Sequence, residues 1–482
     1  MSRNKKNMLT VLFLLAALVI VCVLYVVVPK GESGDEQSDA EEESGITVDT
    51  IDTGQVVEIA VSKSGKEVYH LKKEKNIWEF ADDKSLPVDE DSVNSLLESA
   101  ASVTATKELA FDEAEKSNYG VEEPALTIKI VTSDKTYQYD LGDEVPIEGG
   151  FYGLASGKDK IYCLSDSLMS AFDVKAKALI QKDEIPEITE SEMTAVEVDN
   201  KKGDDFKAEV VKKSERVESD ISWNITKPYA KPLAASDEDW STTLGYFNTL
   251  EFGDLVEYGA KNLSKYGLAH PSSVITVRYK KNKKEKNYVL LVGEQKDDVY
   301  YVCLKNSSNV YEMTSGEVEQ MTKLDAYSCM NQKVYNQTVT EVKGYDVTFG
   351  NTTLRVTGSL KKEETSEEEE SQDTVTASDY IWSLNGKTID DEDVTSLVAP
   401  YSDAGQITYS GKADKSVKPK DKKAVLKMVY HEEGRDVTIT YYPYDGMNFY
   451  RVDRDGMDYF LVDKKAVDEV IGQFKSIKKM GK

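Results

Sequence analysis

The sequence predicts an α+β protein: three tandem similar units of antiparallel strands, each with one long and one short helix, after a single N-terminal transmembrane helix. Three observations lead there. Tyr119-Gly120-Val121-Glu122-Glu123-Pro124 returns as Tyr266-Gly267-Leu268-Ala269-His270-Pro271. A tryptophan strand precedes each copy at nearly the same distance, Trp78 before the first and Trp223 before the second. Between these marks run short apolar–polar alternations, the pattern of half-buried strands. Equal spacing of unlike parts signals a duplicated fold unit.

The N-terminus sets the expected location. Residues 1–7 carry Arg3, Lys5 and Lys6 and read as a basic cytoplasmic tail. Met8 to Val28 (MLTVLFLLAALVIVCVLYVVV) is uncharged. It is long enough to cross a hydrocarbon core of about 30 Å as a helix. The run exceeds a signal-peptide core, and no small-x-small site ends it. Cys22 follows Ile20-Val21, where a lipoprotein signal needs a small residue. The segment therefore reads as an uncleaved single-pass anchor in the cell membrane. Basic residues before it and acidic ones after it put the bulk of the chain outside the cell. Residues 29–50 are acidic and rich in Gly and Ser, a composition that cannot bury enough surface to fold, and read as a flexible stalk.

Unit 1 is expected over residues 51–182. Val57-Ile59-Val61, Val68 to Leu71 and Ile77 to Phe80 are strands, and Val93, Leu96, Leu97 and Ala100 share one helix face. Two hairpins and a short helix from Asp166 follow. Unit 2, residues 183–333, repeats that order, with its helix marked by Trp240, Leu244, Phe247 and Leu250. Unit 3, residues 334–482, keeps the ends: Trp382 in its strand, Val394 and Leu397 on the helix, and a closing helix from Ala466 to Phe474. Its middle reads as degenerate. Tyr-Gly-x-x-x-Pro is absent, a lysine-rich loop from Gly411 to Lys423 stands there, and an acidic insert spans 361–378.

The repeat signature consists of Trp78, Tyr119, Gly120, Pro124 and Gly142, then Trp223, Tyr266, Gly267, Pro271 and Gly293, and finally Trp382. These residues read as structural. Glycine permits a positive φ, proline starts the next strand, and tyrosine packs on the unit. The tryptophans read as core, and Gly142 and Gly293 as strand ends.

Composition excludes some functions. A formal net charge of -27 repels nucleic acid and anionic headgroups. No catalytic residue, cofactor site or metal site stands out. His70, His270 and His431 fall in three different units. The motifs of serine hydrolases, phosphate-binding loops and zinc proteases are missing. Asp453 to Asp458 lacks the closing glutamate of a calcium loop and reads as a hairpin turn. Cys163, Cys303 and Cys329 lie scattered, so either one pair or three buried thiols fits.

The anchor, the tryptophan strand, the Asp-started helix, Y-G-[VL]-x-x-P and the L-G or V-G strand together resemble the bacterial family of domain of unknown function 4340. The resemblance covers units 1 and 2, with unit 3 a degenerate copy. It implies an extracytoplasmic accessory protein with an ABC transporter permease and ATPase as partners. The function expected is a non-enzymatic membrane-anchored scaffold. The alternative is a cell-envelope protein that binds or hydrolyses glycan, which needs two carboxylates facing each other in a cleft.

Overall fold

Alternating apolar side chains build the strands, and left-handed turns fold them back. Ser64-Gly65, Lys75-Asn76, Asn282-Lys283, Asn385-Gly386 and Asp455-Gly456 each hold two successive residues at positive φ. Such pairs match the right-handed twist of the strands they join. The computed structural model describes residues 45–146, 149–342, 344–361, 376–414, 423–478 and 480. The expected cytoplasmic tail and membrane anchor lie outside the described residues, as do most of the stalk and of the acidic insert. Among the described residues no helix is long and apolar enough to cross a membrane.

Unit 1 holds β1 (Ile46–Thr50), β2 (Val56–Lys63), β3 (Lys66–Glu74), β4 (Ile77–Phe80), helix α1 (Glu90–Ala100), β5 (Ser102–Ala110), β6 (Leu126–Thr132), β7 (Thr136–Glu144), β8 (Phe151–Ala155), β9 (Lys160–Leu164) and α2 (Asp166–Phe172). Unit 2 holds β10 (Met193–Asn200), β11 (Phe206–Val210), β12 (Trp223–Lys227), β13 (Leu233–Ala234), α3 (Asp237–Asn248), β14 (Leu255–Glu257), β15 (Ser273–Lys281), β16 (Lys284–Lys296), β17 (Val299–Leu304), β18 (Val310–Thr314), α4 (Ser315–Thr322) and α5 (Ala326–Cys329). Unit 3 holds β19 (Gly344–Phe349), β20 (Thr352–Leu360), β21 (Tyr380–Leu384), β22 (Lys387–Thr388), α6 (Val394–Ala404), β23 (Tyr409–Lys412), β24 (Leu426–Glu432), β25 (Arg435–Pro443), β26 (Phe449–Arg454), β27 (Met457–Asp463) and α7 (Lys464–Ile477).

Each unit forms one nine-stranded antiparallel sheet. The orders are β1-β5-β9-β8-β7-β6-β2-β3-β4, β14-β18-β17-β16-β15-β10-β11-β12-β13 and β23-β27-β26-β25-β24-β19-β20-β21-β22. From β5, β14 and β23 onward the three orders match over eight strands, and β13 and β22 extend units 2 and 3 by one more. The α+β class and the three similar units therefore stand. The middle of unit 3, expected to be degenerate, keeps its strands: β24 and β25 take the places of β6 and β7. The turn that marks this region in units 1 and 2 is absent from its sequence.

Two further expectations change. The first sheet begins at Ile46, inside the segment assigned to the stalk, because the half-buried Ile46 and the buried Val48 pack β1 beside β5. In unit 3 the second helix is the longer one. Val467, Val470, Ile471, Phe474 and Ile477 keep one face apolar, so α7 runs 14 residues against 7 in α2.

Buried side chains from all three units belong to one continuous apolar cluster. Trp78 and Trp382 are core residues. Trp223 is half-buried and meets the buried Trp240 edge-on at 5.4 Å. Cys163, Cys303 and Cys329 are buried and form no disulfide. Burial pushes the Cys303 and Cys329 thiols up to about 11, because a thiolate loses its hydration there.

Two outcomes are expected. Iodoacetamide at neutral pH should leave Cys303 and Cys329 unmodified until urea unfolds the chain, which intact-mass spectrometry reads directly. Trp382→Ala should lower stability by about 3–5 kcal/mol, seen as an earlier urea transition, because Trp382 is fully buried and its indole N–H donates to the Ala377 carbonyl at 2.7 Å.

Candidate functional site: the signature turn and the unit junction

The signature turn is a lock between two strands. In unit 1 a 3₁₀ turn, Glu113–Tyr119, ends at Gly120 with φ 71°; in unit 2, Leu263–Tyr266 ends at Gly267 with φ 71°. That left-handed cap is cheap only for glycine. Tyr119 meets Tyr152 edge-on at 5.1 Å, and Tyr266 meets Tyr301 in the same way at 5.0 Å. Pro124 and Pro271 lie two residues before Leu126 and Ser273, the first residues of β6 and β15.

Gly142 and Gly293 seat the turn. The expectation that they end their strands is corrected: Gly142 lies within β7 and Gly293 within β16. A Cβ on Gly142 would stand 2.1 Å from the Tyr119 carbonyl oxygen, and one on Gly293 would stand 2.1 Å from that of Tyr266. The missing side chain is what lets the turn's backbone lie on the sheet. Unit 3 shows the converse. Leu126 pairs with Leu141, Ser273 with Val292, and Leu426 with Tyr441. One residue further stand Gly142, Gly293 and Tyr442. The third unit has lost the glycine seat together with the turn.

Beside the unit 2 turn lies an open groove of about 420 Å³, lined among others by Asn200, Lys201, Lys202, His270, Glu294 and Lys323. Its serine hydroxyls are engaged in structure. The Ser272 hydroxyl donates to the Gly293 carbonyl at 2.9 Å, and the Ser273 hydroxyl to Asn200 Oδ1 at 2.6 Å. Asn200 Nδ2 donates to the Thr322 carbonyl at 3.0 Å. At the equivalent place in unit 1, Lys63 pairs with Asp173 at 2.6 Å. In unit 3, Phe349 stacks on Phe474 there. One position thus carries an amide, an ion pair or an aromatic stack.

The three histidines stay apart, each with its own neighbours. His70 Nε2 lies 3.3 Å from Glu58, and His431 Nδ1 lies 2.9 Å from Asp436. His270 lines the groove. Among the described residues no three His, Cys, Asp or Glu side chains gather to hold a metal.

The strongest electrostatic feature joins units 2 and 3. Arg454, on β26, pairs with Glu218, in the loop before β12, and their side chains are 5% and 1% exposed. Arg454 also donates to the carbonyls of Val334 at 2.9 Å and Val217 at 3.0 Å. Burial works against its charge, and the Glu218 carboxylate together with Tyr409 and Asp455 more than offsets it, holding the guanidinium above its ordinary value. Arg435 donates to the Val217 carbonyl at 3.0 Å and to Glu432 at 2.7 Å. Tyr335 stacks on Tyr430 at 3.8 Å, and its hydroxyl donates to Glu432 at 3.0 Å. Sequence reasoning missed this cluster. Arg454 and Asp455 read as parts of a hairpin turn, which they are, and nothing local marks the arginine as buried.

The family described as Domain of unknown function (DUF4340) matches residues 78–229 and again residues 223–392. Each matched stretch begins at a repeat tryptophan, Trp78 or Trp223, and the first runs through the link between units into the next tryptophan strand. No curated protein matches the chain, and no solved structure does.

Gly142→Ala should unseat the unit 1 turn at a cost of about 1–3 kcal/mol, visible as faster hydrogen exchange at Val121, whose N–H donates to the Lys116 carbonyl. Arg454→Met should be the harsher change, about 3–5 kcal/mol, because it strands a buried carboxylate. Adding Glu218→Gln should recover part of that loss in a urea titration.

Proposed function

The chain belongs to the DUF4340 family, and we propose that it works as a non-enzymatic membrane-anchored scaffold outside the cytoplasm, auxiliary to an ABC transporter. The observation that carries this reading is the construction of the chain. Three sheets of one topology share a continuous buried core and are clamped by side chains that meet across the unit 2–unit 3 junction. Such an array presents repeated surfaces at fixed spacing, which is what a scaffold needs. The uncharged Met8 to Val28 segment, with Arg3, Lys5 and Lys6 before it, supplies the anchor and its orientation. The transporter partner comes from the family resemblance.

The test is affinity purification of the tagged full-length protein from its native membrane in mild detergent, followed by mass spectrometry. Co-purification of an ABC permease with its ATPase is the expected result. Recovery of neither, with the free ectodomain binding isolated cell wall instead, would replace this reading with an envelope-binding one.

A further inference from the structure

Units 1 and 2 each close one sheet edge with their own tail. After α2 the chain doubles back, and Ile180 bridges Val88 in front of α1. The Asp89 N–H donates to the Leu179 carbonyl at 2.9 Å, and the Gln181 N–H to the Pro87 carbonyl at 3.0 Å. Unit 2 repeats this closure. Met330 bridges Ala235, the Ser236 N–H donates to the Cys329 carbonyl at 2.9 Å, and the Asn331 N–H to the Ala234 carbonyl at 2.9 Å.

Unit 3 builds the same edge. Ser383 pairs with Thr388 as Asn224 pairs with Ala234. The Ile389 N–H donates to the Trp382 carbonyl at 2.9 Å, as that of Ala235 donates to Trp223 at 3.0 Å. Thr388, Ile389 and Asp390 are therefore the counterparts of Ala234, Ala235 and Ser236. Among the described residues no segment pairs with their outer side. The second helix is here the long α7, and Lys478 beyond it donates to the Thr352 hydroxyl at 2.8 Å. Thr388 is exposed where Ala234 is buried, while Ile389 is buried as Val88 and Ala235 are. An unpaired edge is a ready template for another strand.

We propose that the Thr388–Asp390 edge of unit 3 is a docking site for an extended, lysine-bearing segment of a partner protein, which adds a strand there and sets an apolar residue beside Ile389. The two internal closures define the geometry, a two-hydrogen-bond bridge centred on Ile180 or Met330. Charge defines the partner. Asp390-Asp391-Glu392-Asp393 follows the edge, and Asp391 there already takes a lysine, Lys361 at 3.0 Å. The inference does not depend on the membrane placement or on a transporter.

The probe is a labelled peptide with the sequence of Lys175 to Asp183, titrated into the full-length protein and followed by fluorescence anisotropy. Saturable binding is expected, weakened at least tenfold by Asp390→Pro and retained by Asp390→Asn. Proline removes the N–H that a docked strand needs, while the φ of -66° at Asp390 already suits it. Hydrogen exchange on the wild type gives a second readout, with the Asp390 amide fast alone and slowed by the peptide. Absent binding, equal binding by Asp390→Pro, or an Asp390 amide already protected in the free protein would each overturn the proposal. Concentration-dependent self-association abolished by Asp390→Pro would overturn the choice of partner and put a second copy of the chain at the edge.

Discussion

A sheet ends in a row of unpaired N–H and C=O groups, and how those rows are closed governs much of this structure. In unit 1, β1 covers β5 on one side. On the other side the unit's own tail bridges Val88. The chain leaving unit 1 then reaches the edge of unit 2, where Lys177 donates to the Val256 carbonyl and Lys182 to that of Gly253. The chain leaving unit 2 does the same for unit 3: Lys333 bridges Thr408, and the Tyr327 hydroxyl donates to the Tyr409 carbonyl. Each linker thus closes an edge behind it and meets the next one ahead. The units are joined by the same backbone demand that holds each sheet together.

The junction between units 2 and 3 adds specificity to that backbone scheme. A buried ion pair gains little net free energy over a well-packed apolar pair, because both ions lose their hydration. What it imposes is selectivity: Arg454 is satisfied only when Glu218, Val217 and Val334 all stand in place. A shifted packing of the two units would strand a buried charge. The stacked Tyr335 and Tyr430 supply the apolar area beside it.

Much of the architecture was legible because repetition writes itself twice. Trp78 and Trp223, with the two Tyr-Gly turns, marked the repetition and the order of the strands around them. The same reliance on motif made unit 3 look degenerate. Its turn vanished from the sequence, yet β24 and β25 persist, because alternating residues such as Leu426, Met428 and Tyr430 are enough to make a buried strand without any turn signature. Gly142 was visible, but its role was not. A glycine near a strand's end reads as punctuation, whereas the contact that requires it comes from Tyr119, more than twenty residues away in sequence.

The sequence by itself determined the α+β class, the threefold repetition and the packing role of the tryptophans, since these rest on local periodicity and on residue types with few structural options. Only the tertiary structure decided that Arg454 belongs to Glu218, that Tyr442 fills the place of a glycine, and that no segment among the described residues pairs with one edge of unit 3. Each of these depends on which distant backbones meet. A charged or polar residue carries no mark of its partner until the chain has folded, so burial and pairing between units are properties of the assembled sheets and not of any segment.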